Sequence, residues 1–94
     1  MIVERNTWKA KAGHVEDLMA LVKSEATKEG MSYRVYTTLS GPHETVVAEF
    51  EFESLAAYEA FWAKWRAKPE TPSFAVKWGE LTENEGSTEL LTLE

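Results

Sequence analysis

Residues 53–68, ESLAAYEAFWAKWRAK, decide how this chain folds. At helical spacing Leu55, Tyr58, Phe61, Trp62 and Trp65 fall in one broad, mostly aromatic stripe. Ala56, Ala57, Ala60 and Ala63 are strong helix formers. Ser54 suits an N-cap, Lys64, Arg66 and Lys68 suit the negative end of the dipole, and Pro69 stops the helix. So much aromatic area on one face needs a cover, and a sheet supplies it.

The sheet is read outward from that helix. Just before it, residues 45–52 alternate cleanly, with Val46, Ala48, Phe50 and Phe52 on one face and Thr45, Val47, Glu49 and Glu51 on the other. A Gly41-Pro42 turn signal joins this strand to another over residues 32–39. Upstream, residues 14–29 carry Val15, Leu18, Met19, Val22 and Ala26 on one helical face. Glu16 and Asp17 lie in the first turn, and Gly30 is placed to end the helix. Residues 2–10 read as the opening strand, its charges on both parities, so the periodicity leaves its buried face open. Downstream, residues 69–72 read as a loop and 74–81 as a strand with Phe74, Val76 and Trp78 on one side. Residues 82–87 are polar, and TELLTL at 88–93 forms a last short strand.

The expected fold is therefore α+β, a ferredoxin-like βαββαβ unit with an antiparallel sheet and an extra C-terminal strand. Right-handed crossovers put both helices on one face of the sheet. The other face carries Val47 and aromatic residues beside Glu49 and Arg34, more apolar than a solvent face usually is. A second copy packed sheet to sheet covers it, which makes the expected assembly a homodimeric α+β barrel with strand 88–93 exchanged between subunits.

Ninety-four residues with 44% hydrophobic content make one domain, 1–94, with a modest core. There are no cysteines, which removes disulfides, thiolate metal sites and a cysteine nucleophile. Sixteen acidic against ten basic residues give a formal charge of −6, which disfavours nucleic acid and anionic membrane as partners. No basic start with an apolar run opens the chain, and no segment nears the roughly 20 apolar residues of a membrane span. The expected location is cytoplasmic.

The run Glu4-Arg5-Asn6-Thr7-Trp8-Lys9-Ala10-Lys11-Ala12-Gly13 resembles the opening of NIPSNAP-type domains, roughly E-x-R-T-Y-x-x-K-P-G. Glu4, Thr7, Lys11 and Gly13 match, Trp8 exchanges one aromatic for another, Asn6 stands for arginine and Ala12 for proline. Phe52-Glu53-Ser54-Leu55, Pro69-Glu70, Trp78-Gly79-Glu80-Leu81 and Glu89-Leu90-Leu91 extend the resemblance over most of the chain. It implies the dimeric α+β barrel superfamily, which includes cofactor-free monooxygenases of the antibiotic-biosynthesis type, haem-degrading enzymes and members of unknown role.

Candidate chemistry is sparse. Asn6, Trp8, Arg34, Tyr36, Glu49 and Trp78 are the candidate lining of a cavity between the two sheets of the dimer. Glu49 near Arg34 is either a structural ion pair or a tuned acid, and Tyr36 either orients an aromatic ligand or lines the dimer contact. Trp62 and Trp65 read as core on their helical spacing. His14 and His43 are candidates for a ligand or general base, each at an element boundary where solvated histidine is the ordinary outcome. No histidine spacing supports a metal, no cofactor is called for, and no nucleophile-elbow or Ser-His-Asp pattern occurs. The favoured reading is a homodimer that binds a small organic molecule in the inter-sheet cavity or serves as a structural module, with a small aromatic ligand as the candidate partner. The alternatives are a cofactor-independent monooxygenase acting on a phenol or quinol, and haem binding or degradation through a histidine.

Overall fold

The computed structural model describes residues 1–94, apart from the side chain of Glu85. Its elements are β1 (Ile2–Ala10), α1 (Val15–Lys28), β2 (Ser32–Thr37), β3 (Thr45–Phe52), α2 (Leu55–Arg66), α3 (Thr71–Leu81) and β4 (Thr82–Thr92). The strands form one sheet in the order β2-β3-β1-β4, antiparallel at every pairing. This is the ferredoxin-like arrangement, with one helix more than the periodicity implies.

β3 and α1 make the core. Val46, Ala48, Phe50 and Phe52 are all buried, as the alternation requires, and Leu18, Val22 and Ala26 of α1 close over them. α1 ends where Gly30 takes φ +69°. Gly30 N donates to Thr27 O (3.1 Å) and Met31 N to Ala26 O (3.0 Å), the paired closure that a left-handed glycine permits. At α2, Ser54 Oγ accepts from Ala57 N at 3.1 Å, so the expected cap is in place.

The second half of the chain differs from the pattern-based expectation. Residues 74–81 are not a strand but belong to α3, which begins at Thr71 with Pro72 in its first turn. Phe74 and Trp78 are four residues apart, a spacing that fits a helical face as well as an alternating one, while Leu81, seven beyond Phe74, extends the helical face and Val76 is left exposed. The helix then passes into β4 without a loop, with Thr82 already extended at φ −117° and its hydroxyl donating to Trp78 O at 2.8 Å.

The polar segment 82–87 and TELLTL are therefore one edge strand. Residues 88–92 pair with β1 of the same chain, from Asn6↔Thr88 to Ile2↔Thr92. Its charged and hydroxyl side chains suit an edge exposed to water. Gly86 fits here because a Cβ would stand 3.0 Å from the Thr7 carbonyl oxygen.

Register also fixes the two faces of β1, which periodicity left open. Ile2, Glu4, Asn6 and Trp8 pair with Phe52, Phe50, Ala48 and Val46 and so share their helix-covered side. Val3, Arg5 and Thr7 lie with Glu51, Glu49 and Val47 on the open side.

Candidate functional site

Neither α2 nor α3 has a fully buried residue. Their aromatic side chains are half-buried, packed on the core without sealing it, and the two helices roof a cavity of about 430 Å³ above β1, β3 and β4. That volume falls within the range of small-molecule sites.

The wall is a chain of aromatic rings. Trp62 meets Phe61 at 4.8 Å and Trp65 at 5.6 Å between centroids, both nearly perpendicular. Trp65 meets Phe74 edge-on at 5.3 Å, Phe74 stacks on Trp78 at 5.8 Å, and Trp78 meets Trp8 at 4.8 Å and 83°. These are the geometries that ring quadrupoles favour.

The floor is polar. Glu4 and Asn6 are buried, only 5% and 7% exposed, on the helix side of β1. Asn6 Nδ2 donates to Glu4 Oε1 at 3.1 Å, and Thr88 Oγ1 donates to Asn6 Oδ1 at 2.7 Å. Burial pushes the Tyr58 phenol above its ordinary pKa, and the neighbouring Glu4 carboxylate pushes it further, so Tyr58 stays a neutral donor. Trp62 Nε1 is buried with no hydrogen-bond partner among the described residues. At the rim, Trp65 Nε1 donates to Glu25 Oε2 (2.8 Å) and Lys68 Nζ to Glu29 Oε2 (2.6 Å).

The six candidate lining residues divide between the two faces of the sheet. Asn6, Trp8 and Trp78 line the helix-side cavity. Arg34, Tyr36 and Glu49 lie together on the open face, where Glu49 is the hub. Its Oε2 accepts from Arg5 Nε at 3.0 Å and pairs with Arg5 Nη2 at 2.9 Å. Its Oε1 accepts from Tyr36 Oη at 2.9 Å and from Arg34 Nε at 3.3 Å, while Arg34 Nη1 also reaches Glu51 at 3.0 Å. Burial works to raise the Glu49 pKa, but the bonds from Tyr36, Arg5 and Arg34 with Arg5's charge outweigh it and hold the carboxyl below its ordinary value. The Glu49 hydrogen bond in turn raises Arg34.

The cavity therefore sits inside one chain, between helices and sheet. Glu4, Tyr58 and Thr88 belong to it and were not singled out by sequence. Glu4 is two residues from both Ile2 and Asn6, and that parity is the signal it carried. Trp62 and Trp65, read as core, both pack and line the cavity. His14 lies outside it, half-exposed, with Nδ1 3.1 Å from Asp17 Oδ2, and His43 is exposed in the β2–β3 hairpin. Among the described residues no group of three His, Cys, Asp or Glu side chains is placed to hold a metal. No helix among them is long and apolar enough to cross a membrane.

No protein-family model and no curated protein matches the sequence. Solved structures do match its fold. An uncharacterised NIPSNAP domain protein from Burkholderia xenovorans superposes with a TM-score of 0.85 at 19% identity, over 100% of this chain and 95% of that one. The fold is NIPSNAP-like. A NIPSNAP family protein of unknown function from Agrobacterium tumefaciens gives 0.80 at 22% identity, over 97% and 86% of the two chains. An antibiotic biosynthesis monooxygenase gives 0.70 at 13%, over 100% and 99%. This NIPSNAP-like chain shares with them the layered helices and sheet that frame the cavity.

Proposed function

We propose that the protein binds a small organic molecule containing an aromatic ring in the cavity between its helices and sheet. The observation that carries this reading is the cavity itself: about 430 Å³, walled by linked aromatic rings and floored by buried Glu4 and Asn6 with Thr88 hydrogen-bonded beside them. A ring slides against aromatic walls at little entropic cost, and the polar row fixes its orientation. Titration with single-ring compounds, followed by tryptophan fluorescence and calorimetry, tests it. Saturable binding weakened by Asn6→Ala supports the reading, and no binding by any ring at millimolar concentration overturns it.

The open sheet face is assigned to a second copy of the chain. Val3, Val47 and Leu91 flank the Glu49 network there, and Tyr36 is 44% exposed. Sedimentation at micromolar concentration is expected to give a dimer; a monomer would remove this assignment and leave the cavity intact.

One observation favours a monooxygenase as the second reading: Asn6 and the neutral Tyr58 phenol both line the cavity, each beside Glu4, able to orient a quinol or phenol. Oxygen uptake with quinols, abolished by Asn6→Ala, would support catalysis, and silence with retained binding supports a binder. Neither histidine lines the cavity, so titration with haemin is expected to give no Soret shift.

A further inference from the structure

The charge of the ligand can be read from the lining. Glu4 is 5% exposed, and its neighbours are the neutral Asn6 amide, 3.1 Å away, and the Tyr58 phenol. Among the described residues it forms no ion pair with any lysine, arginine or histidine.

The other carboxylates of the lining are engaged. Glu25 takes the Trp65 indole N–H and stands 3.9 Å from Lys28, and Glu29 is held by Lys68. Arg66, exposed at the rim, is the lining's guanidinium, and with Glu25 and Glu29 each beside a lysine, Glu4 is the lining carboxylate that forms no ion pair among the described residues. A buried carboxylate without a counter-charge is costly, and faces of Trp and Phe rings present negative charge to whatever lies over them. Both features suit a positive guest. A phenolate or carboxylate guest would meet Glu4 as a like charge.

We propose that the cavity selects an organic cation, a protonated or quaternary amine on a ring or short chain, with its charge against Glu4 and its carbon frame among the tryptophans. This rests on the ring-binding reading above and adds the sign of the ligand's charge. A protonated amine's N–H donates to the carboxylate, a quaternary one meets it by charge alone, and for both the neighbouring aromatic faces replace part of the lost hydration.

Three probes share one phenyl ring and differ in charge: phenethylammonium, 2-phenylethanol and 3-phenylpropionate. Calorimetry at pH 7 is expected to rank them in that order, with the cation about tenfold tighter than the alcohol. Glu4→Gln keeps an acceptor for Asn6 and is checked for folding by circular dichroism. It is expected to weaken the cation about tenfold and the alcohol by much less, since the charged contact is lost while a neutral acceptor remains. The proposal is overturned if the alcohol or propionate binds as tightly as the amine, or if Glu4→Gln leaves the ranking intact; ring binding then stands. If none of the three binds, both fall together.

Discussion

Replacing Glu49 by glutamine removes one charge from the open sheet face and keeps the shape. Gln Oε1 still accepts from Tyr36, so the change isolates the two arginine pairs. In the wild type Arg5 approaches at 2.9 Å and Arg34 at 3.3 Å, and their side chains are 42% and 54% exposed. At that exposure the Arg5 pair contributes about 0.5 kcal/mol and the Arg34 pair is screened by water, so the substitution should cost about 0.5 kcal/mol at pH 7. For a domain of this size that lowers the thermal midpoint by about 2–4 °C.

The pH dependence is the sharper part. The folded-state pKa of Glu49 lies below its unfolded value, so its contribution is present above the unfolded pKa, near about 4.3, and lost as pH falls through the folded one. Urea unfolding followed by tryptophan fluorescence should show wild type and variant separated at pH 7 and converging as the pH falls towards 3. A cost that is the same at both ends, or absent at neutral pH, would refute an ionic role for this hub.

Other perturbations read the helix side. Asn6→Ala leaves buried Glu4 and Thr88 without their partner and should lower stability by about 1–3 kcal/mol in denaturant unfolding. Tyr58 holds its proton beyond the ordinary range, so its contribution is whole below the unfolded value near about 10 and lost as pH rises through the folded one. Ultraviolet titration should show one late-ionising tyrosine, absent in Tyr58→Phe. Ser54→Ala removes the acceptor for Ala57 N at the start of α2 and should cost about 1 kcal/mol by the same unfolding measurement.

The sequence was most legible where one period had no rival. β3 alternates without interruption, α1 has a single apolar face between charged residues and Gly30, and both form at the expected places. Phe74 and Trp78 satisfied two periods at once, and Pro72, read as part of a loop, is instead the start of α3. β4 was half hidden because an edge strand in water needs no apolar face.

The site was legible in its residue types more than in its location. Trp8, Trp78 and Asn6 line the helix-side pocket, a different place from the inter-sheet space expected for them, and Glu4 and Asn6 on the covered face of β1 broke the apolar alternation that would have revealed that face. The stripe of α2 was read as sealed core because spacing shows which side a helix presents. It does not show how far the helix stands from the sheet.

The most direct measurement is a crystal structure grown with phenethylammonium. Density for one ring among Trp8, Trp62 and Trp78, its nitrogen within hydrogen-bonding distance of Glu4, is the expected result. A roof collapsed onto Phe50 with no space beneath it, or a ring seated on the Glu49 face instead, would contradict a ligand cavity between helices and sheet.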